Sequence, residues 1–123
     1  MKRLVALRGA VQSENTEQDI AVQVTALYDE LLRLNTLTET DIVSLIFSMT
    51  KDLDAKNPAA ALRQSGRAAE TALFAVQEAD VQGGLERVIR AIMHCYLEED
   101  VFPCHVYRNG AETLRPDRAV QKG

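Results

Sequence analysis

The sequence predicts a single domain that combines β-strands with α-helices. An apolar run over residues 3–11 is typical of a strand, and apolar residues at helical spacing between 20 and 34 predict an amphipathic helix. The run IVSLIFSM at 42–49 is short and rich in β-branched residues, which predicts a buried strand. A chain of 123 residues can bury one real core but not two independent ones.

The long helix has readable boundaries. The polar stretch SENTEQD separates it from the first strand, and Asn15 or Thr16 can cap its N-terminus. Glu17 and Asp19 place negative charge in the first turn, where the helix dipole favours it, and we expect the helix to end near Asn35. The TETD segment at 38–41 can form a helical turn before the second strand. The apolar positions of the helix are Ile20, Val24, Leu27, Leu31 and Leu34.

The middle of the chain contains one clear element and two ambiguous ones. Asn57 followed by Pro58 predicts the start of a short helix, and Gly66 is its expected stop. Residues 70–77 are ambiguous, and we assign them a short extended segment. LERVIRAIMHCY at 85–96 fits a helix through Leu85, Val88, Ile89 and Ile92, and fits a strand through Val88, Arg90, Ile92 and His94. Periodicity alone does not decide between these alternatives.

The end of the chain predicts a β-hairpin. Asn109-Gly110 lies between the runs HVYR and AETLRPD, and this dipeptide is the strongest short hairpin signal. We expect the single domain to span residues 1–117, with residues 118–123 as a polar, mobile tail.

Composition narrows the classes of function. The net charge of −4 and the 5% aromatic content, with no Trp, argue against a basic nucleic-acid surface or a platform for stacked bases. No apolar run approaches the length of a membrane span, and the N-terminus does not resemble a signal peptide. We therefore expect a cytoplasmic protein that binds neither nucleic acid nor membrane.

Several kinds of catalytic site find no support in the sequence. The chain contains no GxGxxG or Walker loop, no HExxH, no CxxC and no serine elbow. Cys95 and Cys104 fit neither a disulfide framework nor a zinc motif, so we expect reduced thiols with structural roles. His94 and His105 are too far apart in sequence to suggest a local metal pair. These absences weigh against covalent, metal and phosphate-loop catalysis.

Charged and polar residues in apolar contexts are the remaining candidates for function. Arg8 and Arg90 lie inside apolar runs, Arg63 lies on the short Ala-rich helix, Glu78 lies between apolar neighbours, and Tyr107 is central in HVYR. On pattern alone each fits a structural ion pair or an edge-strand side chain. Two embedded arginines with few acidic residues to neutralise them also favour a pocket for a small polyanion. Both interpretations stay open at this point.

Four segments taken together resemble one known family. LRGAV, TKDLDA…PAAALR, QEADVQGGLERVIR and HVYRNGAETLRPD are similar to the Bacillus-type monofunctional chorismate mutases, in order from Arg8 to Asp117. The resemblance implies an α+β fold with a mixed β-sheet and outer helices. It implies a homotrimer that forms a pseudo-α/β-barrel, with active sites in clefts between neighbouring subunits. It also assigns the segment that holds Arg90 to a strand.

The resemblance implies rearrangement of chorismate to prephenate in the biosynthesis of phenylalanine and tyrosine, with no cofactor, metal or nucleophile. By residue matching, Arg90 contacts the ether oxygen and a substrate carboxylate, and Glu78 hydrogen-bonds the ring hydroxyl. Arg8 and Tyr107 match groups that hold substrate carboxylate. The other matched positions are Arg63 and Arg115 near the cleft mouth, with Leu73, Phe74 and Leu114 lining the cleft.

The chain departs from the family pattern at several substrate-binding positions. Asn57 replaces an aromatic residue, Ala60 a basic or polar one, and Thr71-Ala72-Leu73 an apolar-Pro-apolar run. Ala75 stands where a small polar residue precedes the glutamate by three. A lost hydrogen-bond donor there costs about 1 kcal/mol if nothing compensates for it.

These departures leave an alternative in which the chain is a trimeric anion-binding or regulatory protein without catalysis. A different enzyme on the related trimeric fold, such as an imine hydrolase, is a third interpretation. The matching Glu78 and LRPD segments speak against that third one.

Overall fold

The computed structural model describes residues 1–114, which form five strands and two α-helices. The strands predicted at 3–11 and 42–49, the extended segment within 70–77 and both predicted helices are confirmed. Arg115 and the predicted tail at 118–123 lie outside the described residues. The elements in chain order are β1 (Lys2–Gln12), α1 (Glu17–Leu34), a 3₁₀ helix (Glu39–Asp41), β2 (Ile42–Met49), α2 (Pro58–Gln64), β3 (Ala72–Gln77), β4 (Val88–Glu98), β5 (Val106–Arg108) and a second 3₁₀ helix (Ala111–Leu114).

The strands form one mixed sheet in the order β3-β2-β4-β1-β5. The central strand β4 runs antiparallel to both β1 and β2, whereas β3 is parallel to β2 and β5 is parallel to β1. The ambiguous segment at 85–96 is therefore a strand from Val88 onward, as the resemblance implied. It is hydrogen-bonded along both edges, which fixes its register at the middle of the sheet.

Both helices begin at the caps that the sequence predicts. Thr16 Oγ1 accepts a hydrogen bond from the Asp19 amide at 3.0 Å at the start of α1. Asn57 Oδ1 accepts from the amides of Ala59 and Ala60, at 2.8 and 3.2 Å, at the start of α2. Asn57, which departs from the family pattern, thus has a structural task in this chain.

The two faces of the sheet differ. One face and the helices form the main core, in which every second strand residue is buried against the apolar side of α1 and against α2. The opposite face, called the open face below, is defined by the side chains of Arg8, Ile46, Phe74, Arg90 and Ile92. Within residues 1–114 the second 3₁₀ helix packs at one end of that face. The main buried positions of the core are Leu7, Val11, Ile20, Val24, Leu27, Leu31, Leu45, Phe47, Leu62, Ile89, Met93 and Leu97.

The predicted hairpin at Asn109-Gly110 is wrong. Both residues adopt the left-handed conformation expected of this dipeptide, with φ of 55° and 100°. The next run is nevertheless a 3₁₀ helix, and β5 pairs in parallel with β1 instead. The physical reason is burial, because Ala111 and Leu114, three positions apart, pack on Tyr107 and its neighbours on the open face.

A polar network joins α1 to the loop between α2 and β3. Glu39 accepts hydrogen bonds from the Tyr28 hydroxyl at 2.5 Å and from the Ala68 amide at 2.7 Å. The bond from Tyr28, followed by the bond from Ala68, holds the pKa of the Glu39 carboxyl below its usual value. Arg67 makes two hydrogen bonds of 2.8 Å to Asp29 beside this network.

Neither α-helix in the described part of the chain is long and apolar enough to cross a membrane. Across residues 1–114 no group of three or more His, Cys, Asp or Glu side chains is arranged to hold a metal ion. Cys95 and Cys104 are both free, and burial raises the pKa of the Cys95 thiol to about 11. That thiol is therefore protonated at neutral pH.

Candidate active site

The sheet register brings the candidate residues into two neighbouring rows on the open face. In the first row Ser48 pairs with Arg90, Arg90 with Ala10, and Ala10 with Tyr107. Because directly paired residues point to the same side of a sheet, the side chains of Ser48 and Arg90 are neighbours.

The second row contains the other arginine. Phe74 pairs with Ile46, Ile46 with Ile92, and Ile92 with Arg8. Arg8 and Arg90 therefore stand on adjacent strands and on the same face, offset by one row. The apolar side chains Ile46 and Ile92 form the floor between them.

A cleft of about 320 Å³ opens over these rows. It brings together three of the residues singled out from the sequence, Arg8, Arg90 and Tyr107. The Arg8 guanidinium makes no hydrogen bond or ion pair with any residue of the described range 1–114. Its charge is therefore available to a ligand. The full lining is Arg8, Gly9, Ile46, Ser48, Arg90, Ala91, Ile92 and Tyr107.

Glu78 reaches the same site from the end of β3. Its amide donates to the Met49 carbonyl at 2.7 Å, which continues the pairing of β2 with β3 by one residue. Its carboxylate oxygen Oε1 lies 3.6 Å from Arg90 Nε and accepts a hydrogen bond from the Ser48 hydroxyl. Glu78 lines a second cleft of about 310 Å³, and Arg90 lines both clefts.

The sequence left open whether the two arginines form structural ion pairs or bind an anion, and the structure answers this differently for Arg8 and Arg90. Arg90 is in an ion pair, but a half-exposed one, with 49% of its side chain and 24% of the Glu78 side chain accessible. The terminal nitrogens of Arg90 make no hydrogen bond to any residue between 1 and 114, so their N–H donors are available to a ligand. Two guanidinium groups and a tyrosine hydroxyl on rigid strands can hold a small dianion. The adjacent carboxylate can accept a hydrogen bond from a hydroxyl group of the same ligand.

Five other predicted positions lie elsewhere in the described chain. Arg63 is exposed on α2, in the helical layer rather than on the open face. Leu73 and Ala75 pack toward the core from β3, while Phe74 is on the open face but at the edge strand. Leu114 packs in the small cluster with Tyr107. None of these five lines the cleft that contains Arg8.

Ser48 is the functional candidate that the sequence did not reveal. The alternation within IVSLIFSM places it on the same face as Ile46, yet a serine in a strand is an ordinary residue. Its importance depends on the pairing of β2 with β4, which no local pattern displays. The Ser48 hydroxyl donates a hydrogen bond to Glu78 from the neighbouring strand.

Comparisons with known proteins agree with this geometry. The family model described as chorismate mutase type I matches residues 4–118. The chain is 33% identical over 119 residues to chorismate mutase AroH of Bacillus subtilis (strain 168), covering 94% of this chain and 93% of that protein. It is 34% identical over 115 residues to chorismate mutase AroH of Thermus thermophilus, covering 90% and 93% of the two chains.

A solved structure gives the same answer for the fold. The chorismate mutase from Clostridium thermocellum superposes with a TM-score of 0.81 at 42% sequence identity, covering 89% of this chain and 98% of that one. The sequence and structural matches each extend over nearly the whole chain. The chain therefore belongs to the chorismate mutase type I family.

Proposed function

We propose that the protein is an isomerase that converts chorismate to prephenate, in the cytoplasm and on the route to phenylalanine and tyrosine. Family membership supports this reaction, as do the activities in the names of the relatives from three organisms. The observation that carries the proposal is the contact of Arg90 with Glu78 beside Arg8 and Tyr107 on one sheet face.

The reaction is an intramolecular rearrangement in which the ether C–O bond breaks as a new C–C bond forms. The enzyme must hold a dicarboxylate in a compact conformer and stabilise the charge that separates in the transition state. Arg8 and Tyr107 bind substrate carboxylate. The terminal nitrogens of Arg90 stabilise the negative charge that develops on the ether oxygen as its bond breaks. Glu78 accepts a hydrogen bond from the ring hydroxyl and stabilises the positive charge that develops on the ring. No metal or cofactor is required.

The active form is proposed to be a homotrimer with each site between two subunits. The open face supports assembly because it exposes large apolar side chains, including Leu4, Phe74 and Tyr96 at 58%, 64% and 44% accessibility. Leu73, Phe74 and Ala75 lie across the sheet from Arg8 in their own chain, and α2 carries Arg63 outside the cleft. These positions can complete the cleft of a neighbouring copy, with Leu114 as a further lining residue.

The test is to incubate the purified protein with chorismate and to follow both chorismate loss and prephenate formation. We expect acceleration of about 10⁶-fold or more over the uncatalysed reaction, which is typical of enzymes. Sedimentation at the assay concentration should give three copies per particle. A trimer that binds a dicarboxylate but leaves chorismate unchanged would favour the non-catalytic alternative, and a stable monomer would contradict the shared site.

A further inference from the structure

We infer that Ser48 is a positioning residue for Glu78, holding one carboxylate oxygen so that the other faces the hydroxyl of the substrate. Glu78 is a proposed catalytic group, so this role of Ser48 rests on the function proposed above. Ser48 itself is given no contact with the reacting atoms.

Glu78 is anchored to β2 at two successive residues. Its backbone amide donates to the carbonyl of Met49, and its side chain accepts from the hydroxyl of Ser48. Ser48 pairs directly with Arg90 on β4. The glutamate side chain is therefore turned back across β2 toward Arg90, instead of extending into solvent beyond the end of β3.

Both protein contacts of the Glu78 carboxylate use the same oxygen. Ser48 Oγ donates to Oε1, and Arg90 Nε lies 3.6 Å from that atom. Oε2 accepts no hydrogen bond from any residue between 1 and 114. An ionised carboxylate has acceptor capacity on both oxygens, so Oε2 is the one left for a hydroxyl donor.

The serine bond supplies the orientation that the arginine contact does not. A separation of 3.6 Å is an attraction between charges rather than a directional hydrogen bond. Among the described residues, the Ser48 hydroxyl is thus the directional partner of this carboxylate. Without it, Glu78 can swing into a forked pair with the terminal nitrogens of Arg90, which is the preferred geometry of arginine with a carboxylate. That pair would consume the donors that the transition state needs.

The expected signature is a loss in kcat rather than in KM. Ser48→Ala should lower kcat by about 10- to 100-fold, the usual range for a lost hydrogen bond to a charged group. KM should change by less than about threefold, because the carboxylate-binding residues Arg8 and Tyr107 are untouched. Ser48→Thr keeps a hydroxyl and a strand-compatible side chain, so it should restore most of the kcat.

The chain offers a matched control on the same strand and face. The Ser44 hydroxyl hydrogen-bonds His94 Nδ1 at 3.1 Å, and Ser44 does not line the cleft. Ser44→Ala deletes the same atom farther along the strand from Glu78, so it should leave kcat within about twofold of wild type. Thermal melting of both alanine variants separates a folding defect from a kinetic one.

A double-mutant cycle with Glu78→Gln tests whether Ser48 acts through Glu78. If it does, Ser48→Ala should cost much less in the Glu78→Gln background than in the wild type. Equal costs in both backgrounds, an undiminished kcat for Ser48→Ala, or equal losses for the two serine variants would overturn the inference. If the wild type itself fails to convert chorismate, the proposed function fails, and this role falls with it.

Discussion

Replacing Arg90 with alanine separates its structural role from the catalytic role proposed for it. In the fold, Arg90 lies on the open face and its contact with Glu78 is 3.6 Å long and half-exposed. Ion pairs of this kind contribute at most about 1 kcal/mol to the free energy of unfolding. The side chain fills no part of the core, so its removal leaves no buried cavity. We expect the midpoint of thermal unfolding to fall by no more than about 6 °C.

The expected catalytic loss is much larger. Removing one donor from developing negative charge typically reduces the rate by about 10²–10³-fold, or about 2.7–4 kcal/mol of transition-state stabilisation. Arg90→Ala should therefore lose several times more free energy in catalysis than in folding. This difference is the measurable sign that the arginine faces a substrate rather than serving as a structural ion pair.

The assay compares kcat/KM for chorismate with the thermal midpoint of the same preparation. Arg33→Ala is the control, since Arg33 pairs with Glu30 at 2.7 Å within α1 and is a similarly exposed arginine. It should keep the wild-type kcat/KM. The reasoning is refuted if Arg90→Ala retains activity within tenfold of wild type, or if it unfolds so readily that stability accounts for the loss.

Two further predictions concern binding and pH. Arg8→Ala should raise KM by about tenfold or more with a smaller effect on kcat, because we propose that its guanidinium in the cleft binds a substrate carboxylate that is already charged in the ground state; steady-state kinetics that show a change in kcat alone would contradict this. Glu39 has a folded-state pKa below its usual value of 4.5, so it stabilises the fold above that pH and the stabilisation is lost as the pH falls toward the lower folded value. Urea unfolding at about pH 6 and about pH 3 should show a smaller acid-induced loss for Glu39→Gln than for wild type, and equal losses would exclude the role of this carboxyl.

The elements that the sequence predicted well are those with strong local signals. The caps at Thr16 and Asn57 and the helical periodicity of α1 each act within a few residues of chain. The segment that forms β4 was ambiguous because it is the central strand. Ile89 faces the core while Ile92 faces the cleft floor, so apolar residues on both faces blur the alternation.

Tertiary packing also decided the structure of the residues after Asn109-Gly110. The turn conformation was predicted by the dipeptide itself, since both residues take positive φ. Whether the next residues form a strand depends on an available partner edge, and β5 uses its pairing with β1. The spacing of Ala111 and Leu114 is the local sign of the 3₁₀ helix that was missed.

For the candidate site, charge in an apolar context was an effective guide. It selected Arg8, Arg90 and Glu78, which the structure brings to neighbouring clefts, but it also selected Arg63, which lies on α2 outside both. Ser48 carries no such signal, because a polar residue on a half-exposed strand face is common. Its contact with Glu78 arises from two strand pairings that join distant parts of the chain.

The position of β4 at the middle of the sheet has a consequence for how the protein folds. Lys2 pairs with Glu98 and Gln12 with Val88, so the first strand finds its partner only near the far end of the domain. Pairing between segments this distant in sequence slows folding, because the entropy of loop closure is lost before the contacts form. Arg8 on β1 and Ser48 on β2 are joined only when β4 inserts between them. A nascent chain that has not yet released β4 from the ribosome therefore exposes Arg8, Ser48 and Glu78 but has no cleft, and catalytic competence should appear as one of the last events of folding.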